Sequence, residues 1–194
     1  MSDTASGPFE RERRFLLKPD PLTAYLRDTV PESVMELRQA YLGLDPQRTI
    51  RVRLARPLAV SAFLTTLLGE ELPKAGPWRE AWLTLKGLST VEDKQLVRRE
   101  WELPLDPAQA GTILEELALK PEIHKLRARI TAGEFCWELD LFLGQNKGLL
   151  LAELELPAGL ELPERPHWLG DEITADLRYS NSALVTQPFE GWSV

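Results

Sequence analysis

Residues 9–15 read FERERRF, five consecutive charges between Phe9 and Phe15. In a strand, successive side chains point to opposite faces, so Glu10, Glu12 and Arg14 share one side while Phe9, Arg11, Arg13 and Phe15 share the other. The habit recurs along the chain. Arg51 and Arg53 oppose Ile50, Val52 and Leu54; Thr84 and Lys86 oppose Leu83 and Leu85; Arg98, Glu100 and Glu102 oppose Val97, Trp101 and Leu103. Lys125, Arg127 and Arg129 oppose Leu126, Ala128 and Ile130; Glu138 and Asp140 oppose Trp137, Leu139 and Leu141; Glu153 and Glu155 oppose Leu150, Ala152, Leu154 and Leu156. Ala132-Gly133 reads as a hairpin turn between two of these runs, and Gly144 to Gly148 as a longer one.

Helices are few. Asp20-Pro21 and Asp106-Pro107 each offer an N-cap acceptor followed by a first-turn proline, which predicts helices over about 20–29 and 106–118. The apolar stretch 58–70 suits a third helix and 174–186 a C-terminal one; Leu156 to Trp168, with Pro157, Pro163 and Pro166, reads as a loop. The composition, 43% hydrophobic and 27% charged over 194 residues, fits one domain over residues 1–194 with 1–8 a flexible N-terminus. A net charge of −7 disfavours nucleic acid and anionic membranes as partners. No apolar run approaches the ~18 residues of a membrane span. Cys136 is the one cysteine, which leaves no intrachain disulfide and agrees with a reducing, cytoplasmic setting. His124 and His167 lack zinc-ligand spacing.

For any single strand, a charged face in water explains the alternation, with cross-strand ion pairs worth ~0.2–1 kcal/mol. The set of strands argues for more. The charges come as same-sign doublets (Glu10/Glu12, Arg51/Arg53, Glu100/Glu102, Lys125/Arg127, Glu138/Asp140, Glu153/Glu155), where a solvated face mixes in Ser, Thr, Gln and Asn. If the sheet closes with these faces inward, dry unpaired ions are prohibitive. A wet lumen filled by metal and phosphate satisfies them: carboxylates suit Mg²⁺ or Mn²⁺, and arginine and lysine suit phosphate oxygens. Both signs in one site describe a metal-bound polyphosphate.

The same residues resemble the CYTH proteins, also called triphosphate tunnel metalloenzymes. Glu10-x-Glu12-x-Arg14 is similar to the family's ExExK signature, and RVR, TLKG, RREWE, KLR, WELD and AELE follow in the family's order, as does the late stretch WLGDEITADLRYSNSAL. The resemblance runs from about residue 8 to 185 and implies a mainly β, α+β fold: an eight-stranded antiparallel β-barrel tunnel with a charged, water-filled interior and a few flanking helices. It implies a metal-dependent triphosphatase using Mg²⁺ or Mn²⁺. Glu10, Glu12, Glu153 and Glu155 match the metal-binding acids, and Glu100, Glu102 and Asp140 match further tunnel acids with metal or support roles. Arg51, Arg53, Lys86, Arg98, Lys125 and Arg127 match the substrate contacts. Glu10, Glu12, Arg14 and Glu155 are expected to form the catalytic group, Arg14 also touching substrate. Arg14 departs from the family's lysine, replacing a point charge with a planar fork that keeps its proton.

The expected reaction is hydrolysis of inorganic triphosphate to pyrophosphate and phosphate. A class IV adenylate cyclase and a non-catalytic polyphosphate or nucleotide sensor stand as alternatives, nucleoside and thiamine triphosphates as other substrates, and a homodimer is left open. Arg11, Arg13, Trp82, Trp101 and Trp137 are expected on the outer wall, His124 and Cys136 in structural roles, and the insertion between RVR and TLKG over a tunnel mouth or against a partner. Tyr179 and Asn181 either close the tunnel or pack.

Overall fold

The computed structural model describes residues 9–43, 45, 48–88, 90–92, 95–133, 135–156 and 164–192, with the backbone alone for 9–11, 91, 92, 95 and 96. The expected flexible segment 1–8 lies outside these residues. Ten strands form one antiparallel sheet. In chain order they are β1 (Phe9–Leu17), β2 (Ser33–Tyr41), β3 (Thr49–Leu58), β4 (Glu80–Lys86), β5 (Thr90–Glu92), β6 (Gln95–Pro104), β7 (Ile123–Ala132), β8 (Phe135–Phe142), β9 (Leu150–Glu155) and β10 (Leu169–Glu172). The sheet order is β10-β1-β9-β8-β7-β2-β3-β4-β6-β5. β1 also pairs with β6, Phe9 opposite Arg99 through Glu12 opposite Leu96, and this pairing closes eight of the strands into a ring. β1 therefore hydrogen-bonds β9 along one edge, and on the other edge β6 near its start and β10 near its end.

The outer wall carries most of the apolar core because its side chains alternate with the charged ones. Phe15, Ile130, Trp137 and Leu154 lie there under Leu22 and Leu26 of α1 (Pro19–Asp28) and Phe63 of α2 (Ser61–Leu67). Trp137 meets Phe15 and Trp168 edge-on. On the far side Ala110 and Leu114 of α3 (Pro107–Glu116) cover Val52, Leu54 and Ala81. Asp106 caps α3 as predicted, accepting from the Ala108 and Gln109 amides. α1 begins one residue before the predicted Asp20: Lys18 is its N-cap and Pro19 opens the helix, so Asp20 sits in the first turn without capping it.

The C-terminal segment closes one end of the ring. Predicted as one helix over 174–186, it is a 3₁₀ turn (Leu177–Tyr179) followed by α4 (Asn181–Thr186). Leu184 and Val185 of α4 pack with Ile173 against Leu16, Tyr41, Ile123, Phe142 and Leu151, residues that come from the inner face. Burying two such side chains contributes ~1.5–3 kcal/mol each. Tyr179 packs on this plug. The insertion carrying α2 lies along the outer wall beside α1 rather than over a mouth. Its following strap is pinned by Arg56, which donates to the Gly76 carbonyl and lies over the Trp78 ring. Among the described residues no helix is long and apolar enough to cross a membrane.

Candidate active site

Cross-strand partners share a face, so the register decides where each charge points. Around the ring Arg51 faces Thr84, Thr84 faces Glu102, and Lys86 faces Glu100. Glu10 faces Arg98, Glu12 faces Glu155, and Arg14 faces Glu153. Glu153 faces Glu138, and Asp140 faces Arg127. Arg127 faces Met35, Lys125 faces Leu37, and Gln39 faces Arg53, which returns to β3. Every charged residue expected in the tunnel thus lies on one inner face, Glu10 by its backbone register alone.

The acids and bases on that face hold one another. Lys86 Nζ lies 2.7 Å from Glu100, and Arg51 Nη2 lies 3.6 Å from Glu100 and 3.7 Å from Glu102. Arg14 and Arg98 each stand 3.6 Å from Glu12. Lys125 and Asp140, both fully buried, meet at 2.5 Å. Arg127 is the hub: it donates twice to Asp140, at 2.7 and 2.6 Å, once to Glu153 at 2.5 Å, and once to Glu138. Burial, joined by repulsion from Arg127, brings the Lys125 ammonium down to about 8 against the pull of Asp140 and Glu153. Burial with Arg51 and Arg127 brings Arg53 down to about 10. Burial also opposes the charge of Arg127, but Asp140, Glu138 and Glu153 outweigh it and hold the group well above an ordinary arginine.

Four buried polar atoms on this face make no hydrogen bond: Arg14 Nε (3.6 Å from Glu12), Gln39 Nε2, Thr49 Oγ1 and Arg51 Nε. Three are N–H donors, and each unmet donor costs ~1–3 kcal/mol. A wall of unmet donors among guanidinium groups is complementary to a ligand rich in anionic oxygen.

The acids suit a hard divalent cation. They offer only oxygen, and two carboxylate pairs stand directly opposite each other, Glu12 with Glu155 and Glu138 with Glu153. Like charges at such positions repel unless a cation lies between them. Arg127 serves Glu138 and Glu153 in this way. Glu12 and Glu155 face each other across β1 and β9 and offer only oxygen, a donor pair that suits a metal. Among the described residues no three such ligands already stand together.

Several placements differ from expectation. Trp82, expected outside, shares the inner face with Thr84 and Lys86 and lies opposite Arg53; tryptophan at an inward parity escapes a reading keyed to charge. Trp137 is outside and buried, while Trp101 is outside and exposed. Arg13 is outside, paired with Glu172; the Arg11 side chain lies outside the described residues. His124 is outside, bonded to the buried Glu36. Cys136 lies inside by register, two residues before Glu138. The sequence reading missed β2 and with it Gln39 and Tyr41. It also missed Thr174, whose hydroxyl accepts from the Arg14 amide and whose carbonyl accepts from Arg14 Nη2.

The family model described as CYTH domain matches residues 8–187. An inorganic triphosphatase of Acetivibrio thermocellus is 32% identical over 183 residues, 94% of this chain and 97% of that one. An inorganic triphosphatase of Nitrosomonas europaea is 31% identical over 136 residues, 68% of this chain and 85% of that one. A crystal structure of an inorganic triphosphatase superposes with a TM-score of 0.51 at 25% identity, covering 91% of this chain and 93% of that one.

Proposed function

The chain belongs to the CYTH domain family, and from that premise we propose that it is a metal-dependent triphosphatase whose main substrate is inorganic triphosphate. The observation that carries the reading is the set of unmet donors on an inner face that also holds opposed carboxylates. Triphosphate supplies the missing acceptors, and its counter-cation suits the all-oxygen donor set of the facing Glu12 and Glu155.

Arg51, Arg53, Lys86, Arg98, Lys125 and Arg127 bind the phosphoryl oxygens and spread their charge, as cationic clamps do in phosphoryl transfer. Arg14, fixed by Thr174, turns its remaining donors toward the same oxygens. Glu10, Glu12, Glu153 and Glu155 hold Mg²⁺ or Mn²⁺, which supplies Lewis-acid neutralisation of phosphate charge. Asp140 stays with Lys125 and Arg127 as their positioning acid, and Glu100 and Glu102 orient Lys86 and Arg51. A water oxygen bonds to the terminal phosphorus, and its proton passes to an inner-face carboxylate. The anhydride P–O bond breaks with its electron pair leaving on pyrophosphate.

Loading the tunnel is an exchange. Phosphate takes the bases and the metal takes the acids, so neither set is left buried and alone, a loss of several kcal/mol per ion. The test is phosphate release from triphosphate, ATP, thiamine triphosphate and pyrophosphate with each metal. Release greatest from triphosphate and absent with chelator supports the reading; cyclic AMP from ATP, or tight binding with no release, overturns it.

A further inference from the structure

Gln39 carries no charge, belongs to none of the charged doublets, and lies in the strand the sequence reading missed. It is fully buried. The register puts it on the inner face, opposite Arg53 on one side and Ile123 on the other. Its Oε1 accepts from Arg53 Nε at 3.2 Å. Its Nε2 has no partner.

The orientation of this amide is fixed by its neighbour. Arginine has only donors, so the oxygen must face Arg53; a flipped amide would set donor against donor. The two N–H bonds of Nε2 therefore point away from Arg53. Among the inner-face groups around them, Arg53 and Lys125 are cations and Leu37 and Ile123 are apolar; Tyr41, two residues on, carries a hydroxyl that could accept but makes no bond to Nε2. No protein group meets the Nε2 bonds, in a buried position where an unmet donor is costly. A glutamine that only filled the wall would be outperformed there by leucine or methionine.

We infer that Gln39 is a substrate-contacting residue: its Nε2 donates to a phosphoryl oxygen held by Arg53, while its Oε1 holds Arg53 in the pose that grips that oxygen. This rests on the triphosphatase reading above. The amide adds a neutral, directional donor among point charges and forks. It reads the position of an oxygen, and its donor count is the same at every pH at which the protein is folded.

Three variants test it: Gln39→Met, which keeps the volume and loses both roles; Gln39→Glu, which keeps an acceptor for Arg53 and loses the donors; and Gln39→Met in an Arg53→Met background. A hydrogen bond to a charged group corresponds to roughly a 10- to 100-fold effect. KM for inorganic triphosphate is therefore expected to rise at least about tenfold in Gln39→Met and in Gln39→Glu, with a smaller change in kcat. The melting temperature of ligand-free Gln39→Met is expected to stay close to that of wild type, since removal of the unmet Nε2 donor offsets the acceptor lost to Arg53 Nε. A wall residue would show the reverse, lower melting with KM unmoved. If Gln39→Met lowers the melting temperature, the KM of Gln39→Glu decides, and a wild-type value overturns the inference. In the double variant part of the Gln39→Met effect must survive on top of Arg53→Met; complete loss of it means Gln39 acts only through Arg53 and overturns the direct contact. Wild-type protein inactive on every triphosphate would instead overturn the triphosphatase reading itself.

Discussion

Replacing Asp140 with asparagine tests whether the inner face is a balanced set of charges. Asp140 is fully buried and accepts three bonds, from Lys125 Nζ at 2.5 Å, Arg127 Nε at 2.7 Å and Arg127 Nη2 at 2.6 Å. Asparagine keeps the shape, removes the charge and offers one acceptor oxygen in place of two. Lys125 meets part of the loss by releasing its proton. Its pKa is already down to about 8 with Asp140 raising it, so release near neutral pH in the variant costs at most on the order of 1 kcal/mol. Arg127 keeps its proton, retains Glu138 and Glu153, and loses outright one of its two charged bonds to this position, worth ~1.5–3 kcal/mol. The sum, ~2–4 kcal/mol, overlaps the ~3–5 kcal/mol of a broken buried pair. At ~2–4 °C per kcal/mol for a chain of this size, the melting temperature falls by roughly 10 °C. Scanning calorimetry near pH 7 with chelator measures it. Millimolar pyrophosphate should raise the variant's melting temperature more than wild type's, because the orphaned cations gain an anion. A variant melting within ~2 °C of wild type refutes the charge balance.

Arg51→Ala, which removes a buried phosphate contact, should raise KM for triphosphate by roughly 10- to 100-fold with a smaller fall in kcat, read from initial rates. Glu12→Gln and Glu155→Gln should each abolish metal-stimulated phosphate release while leaving the melting temperature unchanged or raised by ~1–4 °C, since a directly opposed like-charge pair is relieved. Glu36 supplies a pH signature on the outer wall. Burial works against its charge, but hydrogen bonds from His124 and Arg56 outweigh it and lower the carboxyl from 4.5 to about 2. A depressed carboxyl stabilises fully above about pH 4.5, and that stability is lost as pH falls toward 2; the shift is worth ~2–3 kcal/mol. In urea melts the gap between wild type and Glu36→Gln should therefore narrow by that amount between pH 6 and pH 2, and a constant gap contradicts the assignment.

Seven of the eight ring strands were legible because each sets a charged parity against an apolar one. β2 was not. Met35, Leu37, Gln39 and Tyr41 face inward and Val34, Glu36, Arg38 and Ala40 outward, so apolar residues occupy both sides and the period-two signal cancels. β10 is four residues long and falls in the gap between the expected loop and the expected helix. The inner-face charges were legible for the same reason as the strands, since the doublets that define the parity are the site. What escaped is neutral: Gln39 and Tyr41, the inward Trp82, and the Thr174 backbone that holds Arg14 from 160 residues away in the chain. The collapse of acids onto bases depends on distances between strands that no sequence spacing encodes.

Anomalous diffraction from crystals grown with Mn²⁺ and pyrophosphate tests the central claim most directly. Manganese scattering against Glu12 and Glu155, with phosphorus density on Arg51, Arg53 and Lys86, is the predicted result. Manganese or phosphate bound only on the outer wall, with Arg127 still holding Glu138 and Glu153 around an empty bore, would contradict it.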